Sequence, residues 1–204
     1  MDWFMSNGIR INFLDPSKPL PNDILIDSSV LLHLFFPAPK DSIENTLFRH
    51  SKDFLNRVKA NKANCRAVIP IKVIDECFHK IMMSEVKTHT GLKENEDNFR
   101  ELKRRPELLN QLNIPDTLHT FLKSIDTIGV EIIQPYDYVE REEYFEDQIL
   151  ANIKNSELLA GDAHILAAAQ WFDIFDIASV DKDFKRILTT GVNIYTSSAI
   201  INSR

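Results

Sequence analysis

The sequence predicts an α/β sandwich on a mostly parallel sheet. Two observations carry that expectation. Short apolar-rich runs at 23–27, 66–70, 130–133, 175–180 and 192–195 alternate with longer stretches of helical spacing. Two of those runs deliver an aspartate where the strand ends, Asp27 in Ile24-Leu25-Ile26-Asp27-Ser28-Ser29 and Asp181 in Ser179-Val180-Asp181-Lys182-Asp183. In open parallel sheets, chemistry collects at such carboxyl ends.

Each element has its own reason. Residues 1–22 read as an N-terminal extension, in which the alternation of Ile9, Ile11 and Phe13 suits a short edge strand. The strand at 23–27 runs into a helix that Pro37-Ala38-Pro39 stops. Ile43, Leu47, Phe54, Leu55 and Val58 mark an amphipathic helix over 41–63. After the strand 66–70, Ile71, Ile74, Phe78, Ile81 and Met82 mark a long helix to about Thr88. Residues 85–130 are more polar and read as a helical insertion, with Pro106 and Pro115 each placed to start a helix at its first position. The strand 130–133 follows, then a charged helix over 141–154. Next come an apolar helix over 158–171, the strand 175–180, a short helix over 183–189 and a last strand at 192–195.

Composition narrows the function. The chain has 204 residues, enough for one domain with a large insertion; the domain itself reads as 23–204. Hydrophobic residues at 44% and charged residues at 26% are ordinary for a globular protein. Five glycines argue against a Gly-rich nucleotide fold, and a net charge of -6 argues against a generally basic nucleic-acid binder. Cys65 and Cys77 form no metal or redox spacing and read as reduced thiols. With no basic-then-apolar leader at the N-terminus, this implies a cytoplasmic protein. The longest apolar run, 30–38, is broken by His33 and Pro37 and falls short of the ~20 residues of a membrane span.

The candidate site residues are acids, each with a plain alternative. Asp27 and Asp181 suit a cluster of carboxylates and equally suit N-caps of the helices that follow. Asp183 reads as a turn or cap residue. Within Val73-Ile74-Asp75-Glu76-Cys77-Phe78, periodicity does not settle which acid points inward. Asp162 opens a helix that is apolar nearly all round, and buried Asp is rare unless paired or metal-bound, so the functional reading leads there. His164 reads as a packing residue. The acids Glu140, Glu142, Glu143, Glu146 and Asp147, and the bases Arg100, Lys103, Arg104 and Arg105, read as solvated faces.

Four segments, in order, resemble the PIN-domain nuclease family. They are Ile24-Leu25-Ile26-Asp27-Ser28-Ser29, Ile69-Pro70-Ile71-Lys72-Val73-Ile74-Asp75-Glu76, Leu159-Ala160-Gly161-Asp162-Ala163-His164-Ile165-Leu166-Ala167-Ala168-Ala169, and Ser179-Val180-Asp181-Lys182-Asp183-Phe184. In the last, Ser179 stands where the family has threonine. The resemblance implies a three-layer α/β/α sandwich. It selects Glu76 over Asp75 and carries Asp27, Glu76, Asp162 and Asp181 over as an acidic quartet. Asp183 becomes a further acid, with Ser29 and Ser179 as hydroxyl supports. It implies Mg²⁺ or Mn²⁺ as cofactor, held by hard oxygen ligands, and RNA as substrate. Lys72, Lys182, Arg104 and Arg105 are then the candidate substrate contacts. It also admits an antitoxin-like protein partner or a homodimer. The longer stretch at 85–130 departs from the family's compact toxin members. An interaction module on the same fold is the competing reading. A phosphatase of the aspartyl type is disfavoured, because Ser28-Ser29-Val30 supplies no second Asp after the first strand.

Overall fold

A computed structural model describes residues 7–36, 42–90, 96–134 and 144–202. Among them, six strands form one sheet in the order β1-β6-β5-β2-β3-β4, and every neighbouring pair is parallel. The strands are β1 (Arg10–Asn12), β2 (Asp23–Ile26), β3 (Arg66–Pro70), β4 (Val130–Ile133), β5 (Asp176–Ala178) and β6 (Asn193–Thr196). Parallel strands covered on both faces read as continuous apolar runs. Ile24, Leu25 and Ile26 of β2 and Val68 and Ile69 of β3 are accordingly fully buried.

The helices are α1 (Ser28–Leu32), α2 (Ile43–Ala60), α3 (Ile71–Thr90), α4 (Glu96–Arg104), α5 (Leu108–Gln111), α6 (Ile114–Ile128), α7 (Phe145–Ser156), α8 (Ala160–Trp171) and α9 (Ser198–Ile201). A 3₁₀ helix covers Lys182–Thr190. Ser42 caps α2 by accepting from the Asn45 backbone N–H at 3.1 Å. Gly129 ends α6 in the left-handed region at φ 84°, a conformation that favours glycine.

The chain moves outward from β2 to β3 and β4, then returns to β5 on the other side of β2 and moves out again to β6. Right-handed crossovers put the helices of these two halves on opposite faces. Packing agrees: α6 lies against α2 and α3, while α7 lies against α8 and the 3₁₀ helix. The result is a three-layer α/β/α sandwich. The direction of travel reverses between β2 and β5, and the crevice outside their carboxyl ends is where such sheets bind ligands.

Several boundaries differ from expectation for identifiable reasons. The strand expected over 175–180 is shorter, because the Val180 N–H leaves the ladder to donate to Ser29 Oγ at 3.1 Å. Pro106 does not start a helix; it sits in the turn before α5, whereas Pro115 lies in the first turn of α6. The stretch 85–130 carries the end of α3 through α6, and α6 sends Phe121 and Ile125 into the main core. The expected stop at Pro37-Ala38-Pro39 lies outside the described residues, as do Glu140, Glu142 and Glu143; Glu146 and Asp147 fall in the first turn of α7.

Candidate active site

Asp27 follows β2 and caps α1, so its carboxylate stands at the sheet's C-terminal edge. It is 3% exposed. Its Oδ2 accepts from the Ser29 backbone N–H at 3.3 Å, Ser29 Oγ at 2.5 Å and Ser179 Oγ at 2.9 Å. Each hydroxyl has one proton and gives it to Asp27. Each then accepts a backbone N–H from the turn after β5, Val180 onto Ser29 and Asp181 onto Ser179, both at 3.1 Å. Two serines thus tie the loops after β2 and β5 to one carboxylate.

Ser28 provides a second tie. Its Oγ donates to Glu76 Oε2 at 3.0 Å and lies 3.4 Å from Asp27 Oδ1. Glu76 comes from the second turn of α3 and is half-buried, while neighbouring Asp75 is exposed. Burial and the hydrogen bond from Ser28 separate the two acids, which helical spacing could not do. Gly161, in the first turn of α8, faces the same carboxylate: a Cβ there would come 3.0 Å from Glu76 Oε1. A bare backbone at that position leaves Glu76 room.

Asp162 follows in α8, and Asp181 caps the 3₁₀ helix by accepting the Asp183 N–H at 2.8 Å. For Asp27 and Asp181 the plain alternative therefore holds as well: both are helix caps, and the cap does not consume the whole carboxylate. Asp27, Glu76, Asp162 and Asp181 together line one cleft of about 470 Å³, with Ser28, Ser29, Lys72, Asp75, His79 and Lys80.

Electrostatics reports the same convergence. Burial pushes the Asp162 carboxyl up to about 6, and the carboxylates of Asp27, Asp181, Glu76 and Asp183 add to the rise in that order. Among the described residues no hydrogen bond offsets it. Burial also raises Asp27, against hydrogen bonds from Ser29 and Ser179. Glu76 is raised by burial and by Asp27, against Ser28, Lys72 and Lys80.

Asp183 reaches Asp162 through its field but does not line the cleft. Lys72 lines it; Lys182 lines an adjoining pocket. Arg104 and Arg105 do not line the cleft, and Arg105 pairs with Glu101 and Glu107. His164 packs edge-on against Phe145, as its helix position suggested. Sequence reasoning missed Ser28 and Gly161. The signal for Ser28 was its place directly after a strand-tip acid; nothing in the sequence pointed to Gly161.

Among the described residues, no three acid, histidine or cysteine side chains stand close enough to form a ready metal cage. The donor set still fits a hard cation. Mg²⁺ keeps several waters and needs only one or two protein carboxylates. Asp162 is a half-buried acid beside like charges, with no hydrogen bond from the described residues to relieve it.

No protein-family model matches this sequence, and no curated protein matches it. Among the solved structures to which this chain is similar is VapBC2 from Rickettsia felis bound to a DNA fragment from their promoter. It matches 85% of this chain and 98% of that chain at 13% identity, with a TM-score of 0.44. Among the described residues, no helix is long and apolar enough to cross a membrane.

Proposed function

We propose that this chain is a Mg²⁺- or Mn²⁺-dependent ribonuclease of the PIN kind, hydrolysing RNA phosphodiester bonds in the carboxylate cleft. One observation carries the reading: four acids from four separate segments line one cleft at the sheet's switch point, where burial, with their mutual repulsion adding to it, lifts Asp162 to about 6. Such crowding is costly unless a cation joins it. Asp27, Asp162 and Asp181 would hold the cation. The chemistry supplied by such an ion is polarisation of the phosphate and acidification of a bound water.

The chain's own groups would do the rest. The Ser29 and Ser179 hydroxyls fix the Asp27 carboxylate in one orientation. Ser28 holds Glu76 where it could orient the attacking water. Lys72 and Lys80 put positive charge in the cleft, where a phosphodiester's oxygens would lie. Water attacks phosphorus, the P–O bond to the leaving oxygen breaks, and no covalent enzyme intermediate forms. The preference for RNA over DNA rests on the sequence resemblance, as do an antitoxin-like partner and a homodimer. Contacts from Arg104 and Arg105 would lie outside the cleft.

The test is cleavage of structured and unstructured RNA, with matched DNA, in Mg²⁺, Mn²⁺ and EDTA. Wild type should cleave RNA only with metal, and Asp27→Asn and Asp162→Asn should not cleave. Equal cleavage by Asp27→Asn, or cleavage in EDTA, would refute the proposal.

A further inference from the structure

A second pocket, of about 200 Å³, shares Asp181 as a wall with the carboxylate cleft. It is several times the ~30 Å³ share of one liquid water. Arg10 from β1 and Lys182 and Lys185 from the 3₁₀ helix line it. All three are exposed, and among the described residues none has an ion-pair partner. Three cations therefore face one carboxylate, in a protein whose net charge is -6.

The floor of this pocket gives an independent sign. Thr196, at the end of β6, lines it, is 1% exposed, and its buried Oγ1 has no hydrogen-bond partner among the described residues. Buried hydroxyls are normally satisfied, and an unsatisfied one calls for a reason. A hydroxyl beneath three cations suits an anion that accepts hydrogen bonds. The edge strand sets the position of Arg10: β1 pairs in parallel with β6, with Arg10 opposite Ile194 and Asn12 opposite Thr196.

We propose that this pocket is a phosphate subsite, taking a backbone phosphate of the RNA strand whose scissile phosphate lies in the neighbouring cleft. The proposal rests on the nuclease reading of that cleft and adds a binding site to it. Arg10, Lys182 and Lys185 neutralise the phosphate, and Thr196 Oγ1 donates to it. Asp181 stands between the two sites, so a strand filling both would be held on either side of it.

The full chain, free of divalent metal so that no cleavage occurs, is titrated with a single-stranded RNA at several salt concentrations and with inorganic phosphate alone. Wild type is compared with T196V, R10Q and K185Q. T196V should fold with an unchanged or higher melting temperature, since it removes an unpartnered hydroxyl, yet bind RNA about tenfold more weakly. R10Q and K185Q should each lower the salt slope of binding by roughly 0.7, the loss of one single-strand phosphate contact. Wild-type RNA affinity and slope retained in all three variants would overturn the subsite and leave the nuclease reading intact. Phosphate binding that T196V abolishes, in a wild type that neither binds nor cleaves RNA, would overturn both this occupant and the nuclease reading, and would mark the pocket as a site for free phosphate.

Discussion

Ser179 shows how much one hydroxyl can hold. It donates to buried Asp27 and accepts the Asp181 N–H, so Ser179→Ala leaves an acceptor and a donor short at once. The expected loss is about 1–3 kcal/mol, read by urea denaturation. Asp162 makes a prediction of opposite character. Its carboxyl is raised from 3.8 to about 6 in the folded chain, so the folded state holds that proton more tightly than the unfolded one. The stability this adds is fully present below the unfolded value and is lost as pH rises through about 6. Asp27 and Glu76 are raised too and act with the same sign. His33, His50 and His164 are lowered by burial and act the other way in the same pH range, while Asp15 and Glu131, also lowered, act below it. The Asp162 contribution is therefore isolated by comparison: from pH 5 to pH 7 the metal-free wild type should lose melting temperature relative to Asp162→Asn. A difference between the two proteins that is the same at pH 5 and pH 7 would contradict it. The strand-tip acids were legible because an apolar run ending in Asp has few explanations. Ser28 and Gly161 were not, because their roles depend on Glu76, which reaches them only through the fold.

At the scale of elements, β3 has the bounds its apolar run suggested, since a strand between two others is buried along its length, and edge strand β4 has them too, with Val130 and Ile133 buried at its ends. Ends that obey side chains were harder. β5 falls short of Val180 because the Ser29 hydroxyl captures the Val180 N–H, and α9 is hard to read because a short helix capped by Ser197 leaves little periodicity. Pro115 marks the start of α6, as expected, but the polarity of residues 85–130 hides that its buried stripe joins the main core. Phe121 on that stripe is fully buried, with Phe35 at 5.1 Å and Phe78 at 6.1 Å between ring centroids. Phe121→Ala should cost about 3–5 kcal/mol if α6 is part of the core. A loss under about 1 kcal/mol in chemical denaturation would mean that α6 packs loosely.

Across the whole molecule, the two edges of the sheet carry opposite electrostatic arrangements. At the N-terminal edge, Arg66 joins Asp23 at 3.5 Å and Glu131 at 2.8 Å, so charge is matched across β2, β3 and β4. At the C-terminal edge, Asp27, Glu76, Asp162 and Asp181 line one cleft, with Lys72 and Lys80 easing Glu76 and Arg10, Lys182 and Lys185 in the adjoining pocket beside Asp181. The fold thus concentrates negative charge at its switch point, which the proposed divalent cation would balance. Mn²⁺ binding to the metal-free protein near pH 7, followed by electron paramagnetic resonance, tests this without reference to activity. Wild type should bind Mn²⁺, Mg²⁺ should compete for the same site, and Asp27→Asn and Asp162→Asn should each weaken binding at least about tenfold while remaining folded. Equal Mn²⁺ affinity in wild type and both variants would show that these carboxylates do not hold the cation.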